Sequence, residues 1–183
     1  MVPEAIRDQF TYWLKGVEQL RNWKIPRCYT PLLWGELQSI ELHGFGDAAE
    51  KGGYGACVYL RLPLKDGSYA VSLVISKAKV NPIKKVTLPR LELLAALLCA
   101  RLLNFVRKAL KLPTGVTYKC YTDSMVALGW IKGDPGRLKM FVANRVAEIQ
   151  DLTSPSVWSH CHGKENPANL VTRGIFAEDL IGS

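Results

Sequence analysis

The hydrophobic period changes once along this chain, and that change constrains the fold more than any other feature. Over residues 40–47, 54–61 and 69–76, β-branched and aromatic residues recur in short runs separated by glycine-bearing turns, the pattern of β-strands. Asp66-Gly67 between the second and third runs is a hairpin signal, so the three predict an antiparallel meander. From Leu91 the period becomes helical. Leu91, Leu94, Ala95, Leu98, Leu102, Phe105, Val106 and Ala109 fall on one stripe, entered at Pro89 and stopped by Pro113. A strand over 116–122, a short helix over 124–132, a helix over about 138–152, a strand over 157–161 and a last helix from about 167 follow. The order βββ-α-β-α-α-β-α extends the meander with parallel strands, giving one mixed-sheet α/β domain.

Residues 1–37 read as a separate helical leader, and residues 38–183 as the domain. Ile6, Phe10, Trp13, Leu14, Val17 and Leu20 make an amphipathic helix over 4–22, and Pro26 and Pro31 end the pattern. Trp13, Trp23 and Trp34 give this short segment much aromatic surface, as expected of a docking element.

With 48% apolar residues among 183, the chain can bury a sizeable core and is no disordered tail. No apolar run is long enough to span a membrane, and no secretory pattern opens the chain. Five scattered cysteines without a CxxC pair read as reduced thiols of an intracellular protein, which sets the expected location as cytoplasmic. The net charge of +8 is local. Between Lys77 and Lys111 stand nine bases (among them Lys77, Lys79, Lys84, Lys85 and Arg90) and one acid, Glu92, while the rest of the chain is balanced. Such a window points to a polyanion partner or to a solvated helix face.

Within the α/β order, Asp47 ends the first strand and Asp123 the fourth, strands that are commonly parallel neighbours at the centre of such a sheet, and ligands gather at such carboxyl ends. Glu92 lies in the first turn of the long helix, next to its buried stripe. Three converging carboxylates repel one another unless a cation lies between them, and hard oxygen ligands suit Mg²⁺. Each acid also has a structural alternative: a turn residue for Asp47, a helix-dipole partner for Glu92, a cap for Asp123.

The strings ELHGFGDAAE, GACVYL, SKAKVNPIKKVTLPRLELLAALLCARLL, YTDSMVALGWIKGDPGRLKMFVANRVAEIQ and WSHCHGKENPANLVTRG resemble the ribonuclease H domain of Bel/Pao-type LTR retrotransposon polyproteins. The resemblance covers about residues 38–181. The leader ending in IPRC resembles the segment that joins reverse transcriptase to ribonuclease H. What this implies is a ribonuclease H-like fold with a mixed five-stranded sheet in the order 3-2-1-4-5, two Mg²⁺ ions (Mn²⁺ able to substitute), and hydrolysis of the RNA strand of RNA–DNA hybrids. The implied partners are that hybrid and the reverse transcriptase domain of the same polyprotein, in a retroelement particle.

The resemblance assigns metal ligation and catalysis to Asp47, Glu92 and Asp123, and to a fourth carboxylate in a motif that usually reads NPAD. Here that motif is Asn166-Pro167-Ala168-Asn169, so Asn169 offers a neutral carboxamide where the family has a charged ligand. Ala49 stands where the family commonly has serine. Arg90 matches a position that touches the RNA strand, and Ser124 is expected to cap its helix or hydrogen-bond a phosphate. His160 and His162 are too tightly spaced around Cys161 for one tetrahedral zinc site, although some ribonucleases H use a histidine there in product release. A non-cutting nucleic-acid-binding remnant or domesticated copy is the alternative, and Asn169 favours it. A pure interaction module built on the leader is compatible with either. An aspartic peptidase is excluded because no Asp-Thr-Gly or Asp-Ser-Gly loop occurs, and a reverse transcriptase because no Tyr-x-Asp-Asp occurs.

Overall fold

Strand β1 (Glu41–Ala48) lies at the centre of a five-stranded sheet, with β2 (Gly53–Pro63) antiparallel on one side and β4 (Thr117–Thr122) parallel on the other. Strand β3 (Tyr69–Val80) pairs antiparallel with β2, and β5 (Trp158–His160) parallel with β4, so the order is β3-β2-β1-β4-β5 as expected. This computed structural model describes residues 2–25, 28–29, 39–113 and 115–177. The β2–β3 turn closes at Gly67, whose φ of +82° favours glycine, and Asp66 accepts hydrogen bonds from Ser68 N–H and Oγ at 2.9 and 2.6 Å. Strand β3 runs four residues beyond its sequence pattern. Its last part, Ser-Lys-Ala-Lys-Val, is exposed along a sheet edge, so no buried face imposes an apolar alternation there.

The long helix α2 (Leu88–Ala109) enters through a proline in its first turn and buries more than half its residues against the sheet. It comes close because β1 offers glycines beneath it. A Cβ on Gly46 would stand 3.0 Å from the backbone of Ala95, and one on Gly44 2.6 Å from Cys99 Sγ. Helix α3 (Met125–Lys132) and helix α4 (Met140–Leu152) complete this layer around a core of Leu42, Leu60, Leu93, Leu103, Ile131, Val146 and Trp158. The Trp158 indole is fully buried and donates to Thr153 Oγ1 at 3.0 Å, so its polar atom is satisfied. Helix α5 (Ala168–Arg173) lies on the opposite face, where Val171 fills the space a side chain at Gly55 would need. The rest of that face carries an aromatic group in which Phe45 stacks on Tyr121 at 4.8 Å and meets Tyr59 edge-on at 6.0 Å.

The chain divides into two compact units, Cys28–Arg173 and Met1–Arg27 with Gly174–Ser183. In the smaller unit, α1 (Glu4–Gln19) continues as a 3₁₀ turn over Leu20–Asn22. No residue of α1 is buried, and Ile6, Phe10, Trp13, Leu14 and Val17 are exposed along one stripe. Tyr12 meets Phe176 edge-on at 5.5 Å. The expected end of the leader at residue 37, together with Pro26, Pro31 and Trp34, lies outside the described residues.

Candidate active site

Parallel pairing brings Gly46 of β1 opposite Thr122 of β4, so the next residue on each strand is an aspartate. Asp47 and Asp123 thereby emerge side by side at the carboxyl ends of the two central strands. Glu92 arrives from α2, one turn before the Ala95 backbone that rests on Gly46. One carboxylate oxygen from each of Asp47, Glu92 and Asp123 lies within 4.8 Å of the others. Asp47 is 1% exposed and Glu92 7% exposed. The three acids expected from the sequence therefore form one cluster.

Burial and mutual repulsion dominate its electrostatics, with Arg173 offsetting them only in part. Burial pushes the Glu92 carboxyl up to about 8, helped by Asp123 and Asp47. Asp123 is raised too, by burial and then by Asp47. Glu92 Oε2 is buried and has no hydrogen-bond partner among the described residues. A buried acceptor without a donor, set between two other carboxylates, fits a hard cation of the Mg²⁺ or Mn²⁺ kind. Among the described residues no His- or Cys-containing group has this geometry, in accord with the sequence argument against zinc.

Helix α5 brings its own residues to this cluster. The Asn166 amide donates to Gly46 O at 3.0 Å, and its Oδ1 accepts from Ala168 N–H at 3.1 Å, which fastens the start of α5 to β1. Thr172 Oγ1 then donates to Asp47 Oδ2, a buried bond. Asn169 donates through Nδ2 to Gly163 O, while its Oδ1 is buried without a partner among the described residues. Gly163 in turn lies against Asp123, where a Cβ would stand 3.1 Å from Oδ2. The carboxamide thus holds the loop beside Asp123 with its nitrogen and leaves its oxygen free, a division of labour that a carboxylate, lacking a donor, cannot perform. Along the same loop, Cys161 N–H donates to Thr122 O at 3.1 Å, and His160 Nε2 lies 3.1 Å from Asp123 O.

Thr172 and Asn166 were not singled out from the sequence. The only signal was a hydroxyl three residues after Asn169, one helical turn on, and an asparagine before proline. Thr172→Val keeps the shape and removes the donor to Asp47. It is expected to weaken divalent-ion binding about 10–100-fold, the usual effect of losing a group that orients a ligand, measured by titration calorimetry with Mn²⁺ at unchanged melting temperature.

Ser124 caps α3, accepting from Ala127 N–H at 3.2 Å, so the cap expected as one option for Asp123 belongs to its neighbour. The basic window does not form one face. Lys77 and Lys79 are exposed at the end of β3, and Lys84 and Lys85 in the segment that follows. Arg90 is half-buried with its guanidinium 5.1 Å from the centre of the Phe141 ring. Arg101 pairs instead with Glu148 of α4 through two bonds of 2.6 and 2.8 Å, and Arg107 lies over Tyr118.

The chain belongs to the Pao retrotransposon-like RNaseH-like domain family, whose model matches residues 1–124. That span takes in Asp47, Glu92 and Asp123 and stops short of α5. The fold is similar to that of LC11-RNase H1, isolated from compost by a metagenomic approach, at 15% identity and a TM-score of 0.50, over 79% of this chain and 99% of that one. The same LC11-RNase H1 solved in complex with an RNA/DNA hybrid matches at 14% identity and a TM-score of 0.48, over 78% and 99%. The N-terminal RNase H domain of a Mycobacterium tuberculosis protein, solved as a fusion with maltose-binding protein, matches at 16% identity and a TM-score of 0.46, over 79% and 96%. No curated protein matches the chain. No described helix is long and apolar enough to cross a membrane.

Proposed function

We propose that this chain is the ribonuclease H domain of a retroelement and hydrolyses the RNA strand of RNA–DNA hybrids with two Mg²⁺ ions, Mn²⁺ able to substitute. The observation that carries the reading is the convergence of Asp47, Glu92 and Asp123 at the ends of β1, α2 and β4, with Glu92 Oε2 left without a donor among the described residues. Asp47 and Glu92 would hold one ion, and Asp47, Asp123 and the carboxamide oxygen of Asn169 the other. When bound, such ions supply an activated water and stabilise the charge that grows on the leaving 3′-oxygen. Thr172 fixes the rotamer of Asp47, and Asn166 fixes α5 so that Thr172 and Asn169 stay in place. Lys77, Lys79, Lys84, Lys85 and Arg90 hold the hybrid through its phosphates, so affinity falls steeply with salt. Ser124 is spent on its helix cap but has a second lone pair and a proton for a phosphate oxygen. The exposed stripe of α1 suits the reverse transcriptase domain of the same polyprotein as a partner, in an intracellular retroelement particle.

The second reading is a domain that binds the hybrid and does not cut it. Its specific support is Asn169, neutral and already committed through Nδ2 to Gly163 O. Cleavage of an end-labelled RNA–DNA hybrid in Mg²⁺ and in Mn²⁺, with Asn169→Asp alongside, separates the two. The enzyme reading expects weak cutting by the parent and about tenfold more by Asn169→Asp at limiting Mg²⁺, the scale on which a ligand's surroundings tune metal affinity. Binding by both proteins without cutting by either would leave only the second reading.

A further inference from the structure

The segment between β3 and α2 is held at both ends and projects between them. At its start, Asn81 Nδ2 donates to Ala49 O and Glu50 O at 2.9 and 3.0 Å, which ties it to the turn just past Asp47. At its end, Val86 packs against the small buried cluster of Ala48, Leu91 and Ala95. Between these anchors stand Pro82, Ile83, Lys84 and Lys85, all exposed, with Ile83 at 107% and the preceding Val80 at 86% of full exposure. Ile83 is the most exposed of the described large apolar residues, on a segment anchored at both ends. Exposed Lys77 and Lys79 precede it on β3, Lys84 and Lys85 follow its tip, and no acid occurs from Lys77 to Leu91.

We infer that this projection is a groove-reading element, with Pro82 and Ile83 seated in the minor groove of the hybrid and the four lysines on the flanking phosphates. The inference rests on the function proposed above and goes beyond its phosphate contacts. Charge complementarity and position both favour a nucleic acid. The segment is tied to the strand end that carries Asp47 and leads into the helix that carries Glu92, so a polymer lying across the carboxylates passes beside it. Hybrid-like helices present a wide, shallow minor groove lined with 2′-hydroxyls and sugar edges, and apolar side chains are the residues proteins insert in minor grooves. Two kinds of contact then divide the work. The lysines supply affinity that salt screens, and Ile83 supplies a contact that salt does not.

The test uses the full chain and a fluorescein-labelled RNA–DNA hybrid without divalent ions, with anisotropy titrations from low to high salt. Ile83→Ser is expected to weaken binding about tenfold at every salt concentration, as for loss of one buried aliphatic contact, with the salt slope unchanged. Ile83→Leu stays within about twofold of the parent on the same grounds. Lys84→Ala lowers the magnitude of the slope by about one. Ile83 touches nothing that stabilises the fold, so equal melting temperatures confirm that Ile83→Ser is intact. Unchanged affinity of Ile83→Ser, or a loss confined to low salt, overturns the inference and leaves the function reading standing. Failure of the parent to bind hybrid overturns both. Binding to vesicles of phosphatidylserine and phosphatidylcholine that Ile83→Ser abolishes, with hybrid affinity untouched, would reassign the tip to a membrane surface.

Discussion

Asp47→Asn is expected to reduce hybrid cleavage by more than about 100-fold, because groups that merely orient a ligand are already worth 10–100-fold. Asp47 is the one acid proposed for both ions, and it is the acceptor of the Thr172 hydroxyl. The substitution keeps the volume and removes one carboxylate from a group of three whose oxygens crowd within 4.8 Å. The metal-free variant should therefore melt no lower than the parent, and Mn²⁺ should no longer raise its melting temperature. Binding of the hybrid should persist with an unchanged salt slope, since the lysines that set it are untouched. This combination of lost cutting, lost metal response and retained fold and binding separates a ligand from a residue that only supports the fold. Cutting within about threefold of the parent would place the chemistry elsewhere, because no arrangement of Glu92 and Asp123 alone keeps the charge of the site.

The three acids were legible in the sequence for a physical reason. Strand ends and the first turn of a helix are marked by changes of period, and a carboxylate at each mark needs no knowledge of side-chain contacts to be noticed. The succession of elements showed a meander extended by parallel strands, while the order 3-2-1-4-5 came from the family resemblance. What stayed hidden depends on tertiary contact. Thr172 reads as an ordinary helix residue until α5 is seen on the far face of the sheet, bonded to a residue 125 positions earlier. The charge window was visible as a count, but the count could not say that Arg101 is turned to Glu148 of α4, or that β3 runs on far enough to carry Lys77 and Lys79. Gly44 and Gly46, beneath α2, lay inside the first strand expected from the sequence, with no role assigned. Their role, a backbone approach that sets the depth of Glu92, exists only once β1 and α2 meet.

The stability of the metal-free protein should fall as pH rises through neutrality, and a divalent ion should remove most of that dependence. The Glu92 carboxyl is raised from its ordinary range to about 8 by burial, Asp123 and Asp47. Between pH 4.5 and 8 the folded chain therefore holds a proton that the unfolded chain has released, and stability decreases with pH across that window. Asp123, raised in the same direction, adds to the same sign at the acidic end. Glu92 is almost fully buried, so the effect is on the order of 3 kcal/mol over the window, counted at about 1.4 kcal/mol per pH unit and discounted for relaxation. For a chain of this size that is roughly 6–12 °C of melting temperature. At pH 8 a divalent ion takes the place of the proton and stabilises in proportion to the logarithm of its concentration over its Kd. Melting curves at pH 5, 6.5 and 8, each with chelator and with Mn²⁺, read both effects. Glu92→Gln has no proton to release there, so its chelated curves should lose most of the slope between pH 6.5 and 8, and Mn²⁺ should shift them little. A chelated parent that melts at one temperature throughout, or a Glu92→Gln variant that keeps the slope, would show that the buried charge of the cluster resides on another group.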